Sequence, residues 1–435
     1  MRNFFLVAMA AFSLTACRQN DSLVESDSSF NMQSSSADYA VGCNLPVQTV
    51  AGDVGSGGVP TTWTADKIWE IDGILNVPNN VTLTIEPGTY IKAKPKSNNT
   101  PTGVLVVQKG GKLNANGTVS APVVFTSYNL LDCEDDTKAA PGDFGGVIIL
   151  GDAPINTATG TATIEGLSGS QYEYGGTNSA HNGGSLTYVR IEYGGFDLLA
   201  PNSGNEINGL TLGGVGNGTT LHHIQVSYGK DDAFEFFGGT VNASNIIAFA
   251  QDDDGFDFDN GYVGTITNAL ALADINSTHS QSGTAPNQVS DTNGIELDNN
   301  STGTATTLLT HPIINGLTIV GVSSSNTLYE NGIHVRRHGQ LTVNDGIVVG
   351  YPRGIYVEGT GSLFTSTNFT SVFVHGFNTD AAGPDTNLIP AANRLTGAVS
   401  LPIFGLPQPF FNNWPVDLGI RNGDFFGAWT QYNNY

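Results

Sequence analysis

A five-residue pattern returns along the second half of the chain and limits the available folds more than any other feature. It reads Asn208-Gly209-Leu210-Thr211-Leu212, then Asp232-Ala233-Phe234-Glu235-Phe236, then Asp254-Gly255-Phe256-Asp257-Phe258. It continues as Asn293-Gly294-Ile295-Glu296-Leu297, Asn331-Gly332-Ile333-His334-Val335 and Arg353-Gly354-Ile355-Tyr356-Val357. Each unit is a polar residue, a Gly or Ala, then an apolar, polar, apolar triplet. A period of two describes a short strand with one buried side. The spacing is 24 residues from Thr211 to Glu235, 22 from Glu235 to Asp257 and 22 from His334 to Tyr356. The two middle intervals are 39 and 38 residues, and their excess falls in the Ser/Thr/Asn/Gly-rich stretches 276–290 and 301–310. Those stretches read as loops inserted into a constant coil.

Between the repeated strands lie others, among them Ile224 to Tyr228, Ile246 to Ala250, Leu270 to Ala273, Leu317 to Val320 and Ile347 to Gly350. A 22-residue period with two or three short strands per turn predicts a parallel β-helix. A leucine-rich repeat shares the period but needs a leucine and asparagine ladder that is missing here. A propeller blade needs about 40 residues and antiparallel hairpins. The expected fold is all-β: one single-stranded right-handed parallel β-helix, right-handed because parallel crossovers are. Bare end coils would add strands from other chains. Terminal caps are therefore expected near residues 43–74 and 402–429, with Trp63, Trp69, Trp414 and Trp429 as aromatic cover.

The N-terminus carries an address. Arg2 precedes an apolar run from Phe4 to Leu14, too short to span a bilayer, which ends in Leu14-Thr15-Ala16-Cys17. Residues 1–16 read as a lipoprotein signal peptide, and Cys17 as the lipidated residue that anchors the chain to outer-membrane lipid. Arg18 in place of Asp favours the outer membrane, and Asp21, Glu25 and Asp27 are similar to an acidic export tag, so the cell surface is expected. Residues 17–42 read as a polar, disordered tether, and residues 43–435 as the β-helix. Cys43 and Cys133 then remain, and in an exported compartment they are a candidate disulfide.

The net charge is −23, from 16 basic and 39 acidic side chains. Such acidity argues against nucleic acid as a partner and suits cations. The body resembles a family of exported bacterial β-helix proteins of unknown function, common in Bacteroidetes. The residues that carry the resemblance are LTIEPGTYIKA, LVVQKGGKLNANGTVSAPVVFTS, GDFGGVIILGDAPIN, LTYVRIEYGG, EINGLTLGGVGNGTTLHHIQVSYGKDDAFEFFGGTVNASN, DDDGFDFDNGY and the ending FFGAWTQYNNY. The resemblance implies the fold and export, and no activity.

Stacked coils place equivalent residues about 4.8 Å apart. Phe234, Phe256, Ile295, Ile333 and Ile355 then form one inward column, and Phe236, Phe258, Leu297, Val335 and Val357 another. The columns between them are acidic. One reads Thr211, Glu235, Asp257, Glu296, His334, Tyr356, and the next reads Gly213, Phe237, Asp259, Asp298, Arg336, Glu358. The column before the glycine reads Asn208, Asp232, Asp254, Asn293, Asn331, Arg353, with Asp231, Asp252, Asp253 and Asp291 at the turn leading in. Like charges about 5 Å apart repel by roughly 3 kcal/mol at an effective dielectric near 20.

Three readings follow. The face is solvated, with Asp and Asn capping turns. Or Asp232, Glu235, Asp254, Asp257, Asp259, Glu296 and Asp298 hold a cation, Ca²⁺ by their oxygen chemistry. Or Asp232, Asp254 and Asp257 with Arg336 act on an acidic polysaccharide as a lyase or glycoside hydrolase. The Gly-His-Gly and Arg-Ile-Lys motifs of polygalacturonases are missing. The expected function is a surface binding or scaffold module for a glycan, an adhesion partner or an outer-membrane protein, with the enzyme as its rival. His222-His223 reads as structural, and Arg190 and Glu192 as a pair on one strand.

Overall fold

A computed structural model describes Tyr39 and residues 42–95, 103–134, 137–195, 207–274, 281–282, 289–304, 307–322, 325–358, 368–384, 386, 389–398, 418–420, 425 and 427–432. All belong to one compact unit, residues 32–435. Cys17 and Trp414 lie outside the described residues. Twenty-two strands join in one network of parallel pairs, wound as a right-handed parallel β-helix. The expected fold class is borne out.

Each coil has three faces. The repeated strands stack in register as the first: Leu210–Val215 on Phe234–Gly239, then Phe256–Asp259, Ile295–Asp298, Asn331–Arg336 and the end of Thr342–Val357. The glycine of the repeat exists because the backbone there runs against the neighbouring face. A Cβ on Gly332 would sit 2.3 Å from Val348 Cγ1, and one on Gly294 2.5 Å from Ile319 Cγ2. The two inward columns are as expected, with Phe234 on Phe256 at 5.4 Å and Phe236 on Phe258 at 5.1 Å between ring centroids. Burying each such side chain stabilises by about 1.5–3 kcal/mol.

The other two faces come from strands such as Thr220–Ser227, Ala243–Phe249, Thr265–Leu272 and Ile313–Val320. Each bends where one residue takes positive φ: Tyr188, His223, Asn245, Asn268, Gly316, Asp345 and Ser371 stack at this corner. Asn245 and Asn268 join across it by a 3.0 Å amide hydrogen bond. Before the corner, outward positions are Ser, Thr, Asn and His. After it, they are largely apolar: Gln225, Ile247, Leu270, Thr318, Ile347 and Phe373 stand in one column.

That apolar column is covered by the C-terminus. The Gly419 N–H donates to Asp345 Oδ1 at 2.7 Å and the Ile420 N–H to Thr318 Oγ1 at 3.1 Å. Further on, Gln225 clasps the backbone of Gln431 through both its amide atoms, at 2.8 and 2.5 Å. The segment thus runs back toward the N-terminal coils as a strap. Ile420, Phe425 and Trp429 are buried beneath it against Ile247, Phe249 and Leu270. The expectation of an end cap from residues 402–429 is corrected for the described part: Trp429 covers a lateral face. Two-sided apolar strands need a cover on their outer side, and the strap supplies it.

At the other end, residues 43–74 are coil as well as cap. Val47–Asp53 pairs in parallel with Ile68–Val77, while Val50, Val54, Val59 and Trp63 close the core. Trp63 and Trp69 stack at 5.0 Å. Cys43 and Cys133 form a disulfide, Cα atoms 5.2 Å apart. Nearby, Tyr39 is buried and its hydroxyl donates to Glu192 at 2.5 Å. Arg190 pairs with Glu192 at 2.8 Å, both fully buried. No helix among the described residues is long and apolar enough to cross a membrane.

Candidate cation site on the acidic face

The acidic columns are built by coil stacking, as the repeat requires, but they are not solvated. Asp232, Glu235, Asp254, Glu296 and Asp298 are all buried, and Asp257 and Asp259 partly so. Part of the cover comes from the long connection between Val147–Leu150 and Gly184–Glu192, whose Tyr174 meets Asn260 beside Asp259 and whose Asn156 amide reaches Asn299 beside Asp298. Its hairpin, Ala162–Thr163 with Glu173–Tyr174, lays Ile164, Tyr172 and Tyr174 over Val106, Ile148, Leu150 and Phe237. The Tyr174 ring lies 5.9 Å from that of Phe237. Of the three readings of these columns, the solvated face is the one this burial corrects.

The column before the glycine is a hydrogen-bonded ladder. Each side chain accepts the backbone N–H of its equivalent on the next coil: Asn208 from Asp232 at 3.2 Å, Asp232 from Asp254 at 2.9 Å. Asp254 accepts from Asn293 at 2.5 Å and Asn293 from Asn331 at 3.1 Å. One oxygen each of Asp232 and Asp254 is thereby structural. This is the turn-capping role that short polar side chains play elsewhere, repeated coil after coil.

The rest of the face divides in two. In its C-terminal half, Arg336 bonds Asp298 at 2.9 Å and touches Glu296, and Arg337 reaches Asp298 at 2.6 Å. Burial opposes the charge on Arg336, but Glu296 and Asp298 outweigh it and push its pKa up. Burial pushes Glu296 up to about 8 despite that guanidinium. His334 stacks on Tyr356 at 5.2 Å and bonds Glu358 at 3.2 Å. Burial and the arginines beside it bring His334 down to about 3, so it stays neutral.

In the N-terminal half carboxylates meet one another. One oxygen each of Asp232, Glu235 and Asp257 lie mutually within 4.8 Å, and so do those of Asp231, Asp232 and Asp253. Burial raises the pKa values of Asp232, Glu235, Asp254 and Asp257, and repulsion from neighbouring carboxylates, foremost Asp231, Glu165, Asp253 and Glu296 respectively, raises them further. The Asp257 Oδ1 atom is buried with no hydrogen-bond partner. Asp259 is pushed up to about 7, mainly by burial, and its carboxylate accepts from the Asn260 N–H at 2.5 Å.

Of the seven residues named from the sequence for a cation, the structure therefore brings together Asp232, Glu235 and Asp257. Asp254 and Asp259 serve the backbone beside them, and Glu296 and Asp298 face arginine. Asp231 and Asp253 join the cluster from the turn. Their adjacency in DD and DDD runs on neighbouring coils was the signal for them. Arg336 is tied to Glu296 and Asp298, and of the Asp232 cluster its charge acts on Asp257.

A family model of the pectate-lyase-like β-helix domain matches residues 55–388. The chain belongs to that family. No curated protein and no solved structure matches. The pectate-lyase-like domain contains every coil of the acidic face and both clusters. Cys43 and the described strap residues 418–420, 425 and 427–432 lie outside the matched span, so these fasten the domain from beyond it.

Proposed function

We propose that this pectate-lyase-like β-helix is an exported binding module, anchored through Cys17 to the outer membrane, whose acidic face takes Ca²⁺ as a structural ion. The observation that carries the reading is the convergence of Asp232, Glu235 and Asp257 within 4.8 Å beside the unpartnered Asp257 Oδ1. Two buried carboxylates and a partly buried third, crowded without a cation, oppose folding, and an oxygen-seeking divalent ion relieves them. Asp232, Glu235 and Asp257 would hold it, with backbone oxygens or water completing a set of six to eight.

The lyase and hydrolase readings are less well supported. A lyase needs a base free to approach substrate, and Arg336 is held by Glu296 and Asp298. A hydrolase needs carboxyls that flank a glycosidic bond, whereas Asp232 and Asp254 are buried and each caps a backbone amide.

Thermal unfolding with Ca²⁺, with chelator and with sodium chloride of equal ionic strength tests the ion. Ca²⁺ at a hundredfold excess over its dissociation constant should add about 2.7 kcal/mol. Sodium chloride should add little, and the double substitution Glu235→Gln, Asp257→Asn should abolish the calcium increment. Equal shifts from the two salts would refute the site. The anchor is tested by palmitate-analogue labelling: wild type should label and Cys17→Ser should not. Release of reducing ends or unsaturated products from an acidic polysaccharide would replace the module with an enzyme.

A further inference from the structure

One face of the coil differs from the others. Its outward positions are set by an unbroken parallel register that pairs Thr187 with His222, His222 with Ser244, Ser244 with Thr267, Thr267 with Asn315 and Asn315 with Asn344. A second column, two residues earlier on the strands, runs through Ser185, Thr220, Thr265 and Thr342, with Ile313 its one apolar member. All of these side chains are exposed or half-exposed, while their inward neighbours Leu186, Leu221, Ile266, Ile314 and Val343 are buried.

No carboxylate, lysine or arginine stands in either column, although the chain carries a net charge of −23. The acidic face lies partly under its hairpin and the apolar face under the strap. What this face presents is a grid of hydroxyl and amide groups. Its steps are about 4.8 Å along the coil axis and about 6.6 Å along the strands. At its margin His222 meets the Tyr188 ring edge-on at 6.0 Å, and Tyr188 stacks on His223 at 4.5 Å. Burial and His223 lower the pKa of His222.

We infer that this face binds a neutral, linear polysaccharide laid along the coil axis. The axial step is close to the length of one sugar residue in an extended glycan. Each ring can then exchange hydroxyl hydrogen bonds with one coil, and the aromatic margin gives the apolar side of a ring a surface to lie on. An acidic polymer or a nucleic acid would find no cation in these two columns, Lys112 standing beyond them on the N-terminal coil. The inference rests on the binding-module reading and names its ligand class.

The test is affinity electrophoresis of the mature protein in gels containing hydroxyethyl cellulose, xylan or mannan, with polygalacturonate as the acidic comparator. Pull-down on insoluble cellulose and chitin accompanies it. Wild type should be retarded by at least one neutral glycan. The exposed-face pair Thr267→Lys and Asn344→Lys should weaken retention at least tenfold with an unchanged unfolding midpoint. Thr159→Lys, exposed on the long connection, should leave retention intact. No retention by any neutral glycan, or equal retention of wild type and the lysine pair, overturns the inference. Retention by polygalacturonate alone overturns it while leaving a binding module standing. Release of soluble products from any of these polymers overturns the module itself.

Discussion

Removing residues 418–435 should destabilise the β-helix by roughly 5–9 kcal/mol, the sum for three large apolar side chains returned to water. Ile420, Phe425 and Trp429 are buried against a column that includes Ile247, Phe249 and Leu270. Trp429 alone is 1% exposed and meets His223 at 5.6 Å and Tyr188 at 6.0 Å. Trp429→Ala should therefore cost about 3–5 kcal/mol. The truncated chain uncovers an apolar strip, and such strips drive association. Urea unfolding gives the energy, and light scattering on a sizing column gives the association state. A truncated protein that stays monomeric with an unchanged midpoint would show that the strap is decoration. Gln225→Ala should loosen only the far end, because its two bonds to Gln431 fasten that end.

Arg336→Ala should cost about 3–5 kcal/mol at pH 8.5, since it leaves buried carboxylates without their cation. The loss should be smaller at pH 5, by about 1 kcal/mol. The sign follows from Glu296, whose pKa is raised from 4.5 to about 8 in the folded protein. A carboxyl with a raised folded pKa holds its proton in the native state while the unfolded chain has lost it. Its favourable contribution is fully present below pH 4.5 and is lost as pH rises toward 8. At pH 5 the Glu296 carboxyl is already neutral, and removing the guanidinium beside it matters less. At pH 8.5 most of it is ionised beside the guanidinium; without Arg336 its pKa rises further, and the variant must take up a proton or bury the charge unpaired. Arg337 continues to hold Asp298 at 2.6 Å in the variant, so Glu296 dominates the change. Chemical unfolding of both proteins across this range measures it. A loss independent of pH would mean that Arg336 acts by packing alone.

The repeat made the coil legible because its information is local. A polar residue, a glycine and an alternating triplet at 22-residue spacing determine a strand, its buried side and its neighbours one coil away. The phenylalanine columns at 234 and 256, and at 236 and 258, follow from that spacing, as does the alignment of Glu235, Asp257 and Glu296. The polar ladder from Asn208 to Asn331 was legible too, since Asn and Asp recur where a turn leaves a backbone N–H to satisfy.

What lies over the coil was not legible, because covering is a contact between distant segments that no period encodes. Alternation shows that Phe237 or Ile148 faces outward, but not that residues 162–174 return to bury it. The run Ile246 to Phe249 is apolar on both sides, but nothing in it names the strap that covers its outer side. The acidic columns seemed solvated for the same reason. Charge pairing also waited on the tertiary structure: Arg336 and Glu296 are forty residues apart along the chain, with a loop between them, and only the stacked register puts guanidinium against carboxylate. The sequence alone determined the coil and its columns, since both depend on local period. Which columns meet water, which meet a cation and which meet the chain's own terminus was decided by the tertiary structure, since burial and charge pairing are properties of what comes to lie alongside.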